Sequence, residues 1–273
     1  MIIGFIGTGN MGGAILGGYA ASKASEGNEL LAYNLNTDHS KWALERTGGR
    51  VEIAADNVDL CRRSDVVIIG VKPQVIDPVL EEITGPFKER EDRILVSMAA
   101  GISIEHLRSF LGEKAKIVRI MPNTPAMVGE AMTAVARNEL VNDEEFAPIK
   151  EIFDSIGAAE EIDEALIDCV IGVSGSSPAY TYMYIQALVE AAVANGMDEQ
   201  KARVFAAQAV LGAAKMVLES PESIEQLRIN VCSPGGTTIE AVNKLFENGF
   251  MQNAKEGFQA AVDRSIEMTE AKK

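Results

Sequence analysis

The first half of the chain alternates short apolar runs with segments of helical periodicity. Several runs are apolar throughout, which is typical of parallel strands covered on both faces, and strands alternating with helices predict βαβ units. The six runs are Ile2–Ile6, Leu30–Asn34, Val51–Ala54, Val66–Val71, Ile94–Met98 and Lys116–Met121. Two further strands are predicted at Ala131–Ala136 and Ala159–Ile162.

The second half has a different pattern, because the strand-like runs end at about residue 163. Ala-rich amphipathic stretches follow, such as Tyr182–Asn195 and Lys201–Leu218. Helix starts are predicted at Ser177 and Ser220, which each precede a proline, and at Asp198. The boundary between the two halves is a change of periodicity and not a flexible linker.

A glycine-rich loop joins the first predicted strand to a helical stretch at Ala14–Ala20. Its sequence, Gly7-Thr8-Gly9-Asn10-Met11-Gly12, is the G-x-G-x-x-G pattern in the strand–turn–helix context that a dinucleotide site needs. The first glycine permits the tight turn, the second lets the backbone approach a pyrophosphate, and the third allows close helix packing. We therefore predict that the residues from Gly7 to Met11 bind a cofactor; a turn without a ligand is the less favoured alternative.

These patterns predict an α/β fold class, with an N-terminal Rossmann-type dinucleotide-binding domain over residues 1–163 and an all-α C-terminal domain over residues 164–273. Ligands of open α/β sheets bind outside the carboxyl ends of the strands. Further cofactor contacts are therefore predicted at Val71, Lys72 and Pro73, at Ala99 and Ala100, and at Asn123. Ordinary strand-to-helix punctuation accounts for any one of these loops equally well, and only their joint placement on one edge favours a ligand.

The residues after the second strand bear on cofactor choice, because an acid there favours NAD and a nearby arginine favours NADP. The segment Tyr33-Asn34-Leu35-Asn36-Thr37 has neither. Asn34, Asn36 and Thr37 can donate hydrogen bonds to a 2′-phosphate, although a plain polar loop is the alternative. Since no acid repels that phosphate, we expect NADPH, with NADH as the second choice.

The net charge of −15 disfavours partners that need a basic face, so neither nucleic acid nor an anionic membrane is expected. The three cysteines, Cys61, Cys169 and Cys232, match no metal-site or disulfide spacing. We therefore expect no metal and a reducing, cytoplasmic location. The apolar N-terminus lacks a basic segment and is interrupted by glycines, so it does not have the pattern of a signal peptide.

Only two histidines are present, His39 and His106, and each lies in a polar segment that is expected to be exposed. The sequence has no HExxH or CxxC motif and no Ser-His-Asp pattern. The expected chemistry is hydride transfer, in which a cofactor supplies the reactivity and the protein orients it.

The stretch VCSPGGTTIE, Val231–Glu240, interrupts the helical half with a proline, two glycines and two threonines. Thr237 and Glu240 have capping-box spacing, so a helix is expected to begin here. Gly235 and Gly236 allow positive φ and expose backbone N–H groups that suit a carboxylate. On these residues alone, a capped helix without a ligand is an equally good interpretation.

Five segments together resemble the pyrroline-5-carboxylate reductase family, and the resemblance extends over essentially the whole chain. In order, they are FIGTGNMGGAI, VKPQ, MPNTPAMVGEA, SGSSPAY and VCSPGGTTIEAV. The chain departs from the family pattern at Ser177, where glycine is usual, and at Leu35, where many bacterial members have arginine. The second departure weakens the preference for NADPH.

The resemblance implies an enzyme that adds hydride from NAD(P)H to the C=N carbon of 1-pyrroline-5-carboxylate and yields L-proline, the last step of proline biosynthesis. It implies that backbone N–H groups of Gly236, Thr237 and Thr238 bind the substrate carboxylate, with the Thr238 hydroxyl near the ring nitrogen as the catalytic group. Glu164 aligns with a substrate-binding position. Asn57, Lys72, Pro73 and Asn230 align with cofactor-binding positions.

The resemblance also implies a C-terminal dimerisation domain that interleaves with a second subunit, so that the site is shared between chains. The expected assembly is a homodimer, which can assemble further into a decamer; the apolar helices are equally compatible with packing inside one chain.

Two alternatives belong to other functional classes. A non-catalytic homologue would keep the dinucleotide fold for a regulatory role, but the loss of the SPGGTT segment expected in that case is not observed. A β-hydroxyacid dehydrogenase would need a catalytic lysine on the first helix after the sheet, and Leu166–Val173 contains none.

Overall fold

The structure is a computed structural model that describes residues 1–271. Eight strands lie in its first part: β1 (Ile2–Ile6), β2 (Glu29–Tyr33), β3 (Val51–Ile53), β4 (Val66–Ile69), β5 (Ile94–Ser97), β6 (Lys116–Met121), β7 (Ala131–Arg137) and β8 (Gly157–Glu161). They form one sheet in the order β3-β2-β1-β4-β5-β6-β7-β8. The six predicted parallel strands are confirmed as β1 to β6.

The sheet reverses direction between β6 and β7, which pair antiparallel, while β8 is parallel to β7. The connection between β6 and β7 is short and holds a 3-10 turn at Thr124–Val128 that ends at Gly129, with φ +77°. A parallel pair needs a crossover of about a dozen residues or more, so this short link can only reverse the chain.

The described residues contain twelve α-helices: α1 (Asn10–Ala21), α2 (Thr37–Arg46), α3 (Asn57–Arg63), α4 (Ile76–Lys88), α5 (Ile104–Leu111), α6 (Asp143–Asp154), α7 (Ile167–Val170), α8 (Ser177–Ala194), α9 (Glu199–Glu219), α10 (Ile224–Asn230), α11 (Thr237–Glu247) and α12 (Phe250–Glu270). Two separate apolar cores cover the two faces of the sheet. One packs α1 and α6 on the strands, and the other packs α3, α4 and α5.

Successive residues of β4 show why these strands are apolar throughout. Val66 and Ile68 belong to one core, whereas Val67 and Ile69 belong to the other. Since both faces of the sheet are covered, no position along the strand is left for a polar side chain.

One of the three predicted helix starts is wrong. A start at Ser177 is confirmed, because Ser177 is the first residue of α8, although it follows directly on a π-helical turn at Ile171–Gly175. Ser220 is the C-cap of α9, because the proline after it ends that helix, and α10 is capped instead by Ser223. Asp198 is confirmed as the N-cap of α9.

The chain divides into two compact units, Met1–Ser176 with the residues from Ala260 onward, and Ser177–Gln259. The first unit holds the sheet and the second holds α8 to α11. The domain boundary between residues 163 and 164 stays a prediction.

The second unit buries very little of its apolar surface. Of residues 177–259, only Ala202 and Ala206 are buried, whereas Phe205 is 69% and Leu218 is 85% exposed. The apolar residues of α8 and α9 are not confined to one stripe, contrary to the predicted amphipathic pattern. An extended exposed apolar surface of this kind marks a site of protein association. None of the described helices is both long and apolar enough to cross a membrane.

Candidate functional site

The glycine-rich loop turns directly from β1 into α1. Gly7 has φ +89°, and its N–H donates to the carbonyl oxygen of Tyr33 at 2.9 Å, which ties the loop to the end of β2. Gly12 packs against the same turn, since a Cβ atom there would lie 2.3 Å from the carbonyl oxygen of Gly7. The fold itself therefore requires the first and third glycines of the pattern.

Gly9, the second glycine, is not required by the fold. Its φ of −66° suits any residue, and a Cβ atom built there would meet no heavy atom within 4 Å. Gly9 is also the N-cap of α1, and no side chain caps that helix. The first backbone N–H groups of α1 consequently lack a capping side chain at the positive end of the helix, which is the arrangement that binds a pyrophosphate.

The other residues of the loop point in different directions. Thr8 is fully buried, and its hydroxyl donates to the carbonyl oxygen of His39 at 3.2 Å. Met11 packs against the apolar core, whereas Asn10 is exposed. Among these three, Asn10 has the most exposed side chain and Thr8 has none that a ligand could reach.

A cleft of about 630 Å³ lies beside the loop. It brings together four predicted cofactor-binding residues, Gly7, Asn34, Asn57 and Val71, with Leu35 and Glu82. The carboxamide of Asn57, a buried residue, donates from Nδ2 to Glu82 Oε2 at 2.6 Å. Sequence patterns did not identify Glu82, because it is one of several charged residues on α4 and only the fold brings it to this cleft.

The predicted phosphate-binding asparagines also shape the loop after β2. Oδ1 of Asn34 accepts a hydrogen bond from the backbone N–H of Asn36 at 2.9 Å. Oδ1 of Asn36 accepts one from the backbone N–H of Asp38 at 2.9 Å, and Asn36 thereby caps the N-terminus of α2. Leu35 projects between them and is 90% exposed. Asn34 and Leu35 are the residues of this loop that line the cleft, so the loop contributes no carboxylate to it; the carboxylates of the lining, Asp56 and Glu82, come from other segments.

The remaining strand-end residues differ in how freely they can meet a ligand. Lys72 is exposed and Ala100 is half-buried, whereas Ala99 is buried and offers only its backbone. The Asn123 side chain is already committed, because Nδ2 donates to the carbonyl oxygen of Ser174 at 3.1 Å and Oδ1 accepts the N–H of Met132 at 2.9 Å. A cofactor contact of Asn123 would therefore use its backbone.

Glu164 lies immediately before α7, and its carboxylate joins two other elements. Oε1 accepts the backbone N–H of Ile104 at 2.8 Å, at the start of α5, and the Nη1 of Arg119 at 2.9 Å, from the middle of β6. Arg119 is only 4% exposed. In the sequence it is one of two charged residues in an otherwise apolar strand, so nothing there identified it as the partner of Glu164.

In the second unit, α11 begins with an uncapped N-terminus. Gly236 is its N-cap, no side chain caps it, and Thr237 is its first helical residue, so the predicted capping box is wrong. Gly235 has the expected positive φ, +68°, but Gly236 does not, at −82°. The Gly236 N–H donates to the carbonyl oxygen of Ser233 at 3.0 Å, which leaves the N–H groups of Thr237 and the exposed Thr238 to receive an anion.

Asn230, also in the second unit, is exposed, and its side chain is held by one residue of α10 and one residue that precedes this helix. Its Nδ2 donates to Glu222 at 2.8 Å, and its Oδ1 accepts the Gln226 amide at 2.7 Å.

His39 is exposed as expected, but His106 is half-buried, with Nε2 2.8 Å from an oxygen of Asp77. Within residues 1–271, no group of three or more His, Cys, Asp or Glu side chains is arranged to hold a metal.

The doubly wound sheet and the glycine turn with an open helix N-terminus define a Rossmann-type dinucleotide-binding oxidoreductase. Two family models match the chain: "NADP oxidoreductase coenzyme F420-dependent" over residues 2–101, and "pyrroline-5-carboxylate reductase dimerisation" over residues 164–268. The chain is 43% identical to the pyrroline-5-carboxylate reductase of Escherichia coli (strain K12) over 98% of both proteins.

Solved structures agree with these matches. The pyrroline-5-carboxylate reductase of Coxiella burnetii superposes with a TM-score of 0.90 at 34% identity, covering 98% of each chain. That of Plasmodium falciparum, solved with NADP bound, gives a TM-score of 0.86 at 30% identity over the same share of each chain. The chain belongs to the pyrroline-5-carboxylate reductase family, and the resemblance noted in the sequence is confirmed.

Proposed function

We propose that this protein reduces 1-pyrroline-5-carboxylate to L-proline with NADPH as the hydride donor. The observation that carries this proposal is the uncapped start of α11, with its two glycines and two threonines, in a chain of this family. Neither the structure nor any of the related proteins favours the alternative of a non-catalytic homologue.

The proposed cofactor site follows from the open space beside the first unit's sheet. The N-terminus of α1 at Gly9 takes the pyrophosphate, and Asn34, Asn36 and Asn57 contact the adenosine half. The loops after β4, β5 and β6 border the nicotinamide half. When bound, the reduced nicotinamide supplies a hydride; the protein residues fix its orientation and exclude water.

The proposed substrate site uses the N-terminus of α11. The N–H groups of Thr237 and Thr238 hold the substrate carboxylate, with Gly236 leaving room for it. Reduction forms a C–H bond at the imine carbon, and the C=N electron pair moves onto nitrogen. We assign the Thr238 hydroxyl to orient the ring nitrogen and exchange its proton, and Glu164 to contact the ring. Asn230 is assigned to the cofactor.

The assembly is proposed from the second unit. Residues 164–268 match a dimerisation domain, and the exposed apolar side chains of α8 and α9 need a partner to bury them. We propose a homodimer with a shared site and further assembly into a decamer, which sedimentation would test. The three free cysteines fit a reducing, cytoplasmic location.

The proposal is tested by following NADPH oxidation with 1-pyrroline-5-carboxylate and, as a matched control, with 1-pyrroline, which lacks the carboxylate. We expect kcat/KM for 1-pyrroline to be lower by about a hundredfold or more, because the donors at α11 are then left without a partner. Repeating the assay with NADH measures cofactor choice. No turnover of the carboxylated imine, or equal turnover of both imines, would contradict the proposal.

A further inference from the structure

Arg119 is a buried arginine that no step of the proposed reaction uses. It lies in the middle of β6, between Ser97 of β5 and Ala136 of β7, and is only 4% exposed. Charged side chains are rarely buried to this extent unless they are paired. The packing of the sheet alone does not explain why an arginine, with Glu164 as its partner, occupies this buried position.

The geometry of that pair is asymmetric. Glu164 uses a single oxygen, Oε1, for both Arg119 Nη1 at 2.9 Å and the Ile104 N–H at 2.8 Å. Across residues 1–271, Oε2 of Glu164 accepts no hydrogen bond, and the side chain is 30% exposed. One oxygen is anchored from two directions, while the other remains available to a ligand.

Among residues 1–271, Arg119 donates a hydrogen bond to Glu164 and to no other acceptor. Its Nε and Nη2 are buried without a hydrogen-bond partner in the described part of the chain, and Glu164 is the only carboxylate paired with it there. If Glu164 moved away, a full charge would remain buried and uncompensated, which is strongly unfavourable. The guanidinium therefore restrains the position of the Glu164 carboxylate far more firmly than a surface ion pair would.

We propose that Arg119 is a positioning residue for substrate binding, which holds Glu164 by Oε1 so that Oε2 is presented to the ring of the cyclic imine. The inference rests on the proposed function, in which Glu164 contacts the substrate. The hydrogen bond from the Ile104 N–H holds the same carboxylate at the start of α5. The segment just before α5 contains Ala99 and Ala100, which are predicted cofactor-binding residues.

The test compares two conservative variants of buried arginines, Arg119→Lys and Arg93→Lys. Arg93 is the matched control, because it is 1% exposed, lies in the same unit, and donates only to backbone carbonyl oxygens, such as that of Ser64 at 3.0 Å. We expect Arg119→Lys to raise KM for 1-pyrroline-5-carboxylate by about tenfold, because lysine shortens the reach to Glu164. KM for NADPH should stay within about twofold in both variants.

Arg93→Lys should lower the melting temperature without changing KM for the imine. Arg119→Met should be worse than Arg119→Lys, and the effect of Arg119→Lys should disappear in a Glu164→Gln background, because the two residues act as one unit. If Arg119→Lys does not fold, Arg119→Gln takes its place, because it removes the charge that holds Glu164 and leaves Glu164 itself intact; the selective rise in KM for the imine should again disappear in the Glu164→Gln background.

Equal changes in KM for imine and NADPH, or a full effect of Arg119→Lys in the Glu164→Gln background, would overturn the positioning role. These outcomes presuppose an active wild-type enzyme. An inactive wild-type protein would instead contradict the proposed function, so the two failures are distinguishable.

Discussion

Gly12 lies so close to Gly7 that a Cβ atom on Gly12 would be 2.3 Å from the Gly7 carbonyl oxygen. A Cβ atom placed on Gly9, between them, would have no heavy atom within 4 Å. One loop therefore contains glycines of two kinds: those that the fold needs, and one whose missing side chain leaves space for a ligand. Substitution of Gly12 should therefore lower the stability of the protein, whereas substitution of Gly9 should weaken the binding of the dinucleotide.

Gly9→Ala should bind NADPH at least about tenfold more weakly while melting at nearly the wild-type temperature, because only the approach of the pyrophosphate is obstructed. Gly12→Ala should be destabilised by about 1–3 kcal/mol, because the added methyl group meets backbone that cannot move aside. Thermal melting and a fluorescence titration with NADPH measure the two effects.

Gly85→Ala is the control for these variants. Gly85 lies within α4, and a Cβ atom there meets no heavy atom within 4 Å apart from its chain neighbours, so alanine should leave NADPH binding unchanged. The melting temperature should change little, because the gain in helix propensity is offset by the contact of the new methyl group with the ring of Pro86. Wild-type affinity for NADPH in Gly9→Ala would show that the phosphate assignment is wrong.

Thr238→Ala should lower kcat by about 10- to 100-fold, the loss expected when one hydrogen bond to the reacting nitrogen is removed. The affinity for NADPH should be nearly unchanged, because α11 is not part of the proposed pyrophosphate site. Thr238→Ser keeps the hydroxyl and should retain most of the turnover. Unaltered kcat in Thr238→Ala, measured in parallel, would remove the hydroxyl from the mechanism.

Leu35 offers a direct test of cofactor choice, because it is 90% exposed and lines the cleft without any charge. Leu35→Asp should raise KM for NADPH by about tenfold or more through repulsion of the 2′-phosphate, while KM for NADH stays the same or falls. Leu35→Arg should shift the preference in the opposite direction. If neither variant changed the NADPH-to-NADH ratio, the 2′-phosphate would lie elsewhere.

Cys61 should be unreactive in the folded protein, because it is fully buried and burial raises the pKa of its thiol to about 11. Only the thiolate reacts with alkylating agents, so peptide mass spectrometry after iodoacetamide treatment at mildly alkaline pH should find Cys61 unmodified. The same protein unfolded in denaturant is the positive control. Rapid labelling of native Cys61 would show that α3 opens readily from the sheet.

The sheet could be predicted from the sequence because its strands are buried on both faces, and short uninterrupted apolar runs such as Val66–Ile69 are typical of strands in that position. Helix starts in the second half were harder to predict. A serine before a proline is compatible with the start or the end of a helix, and at Ser220 it marks an end.

The candidate site was predictable where the backbone carries the function. Gly7, Gly9 and Gly12 form a local pattern, and their geometry follows from neighbouring residues in the chain. Glu82 and Arg119 were not predictable, because their roles arise from contacts with residues 25 and 45 positions away. A charged residue on a helix or in a strand gives no local sign of a partner that is so distant in the chain.

Deuterium at C4 of the nicotinamide of NADPH provides the most direct test of the proposed hydride transfer. We expect deuterium from one face of the nicotinamide to appear at the former imine carbon of L-proline, in amounts equal to the NADPH consumed. Gly9→Ala and Thr238→Ala should each slow its appearance. L-proline without deuterium, or NADPH consumption without L-proline, would contradict direct transfer to the cyclic imine.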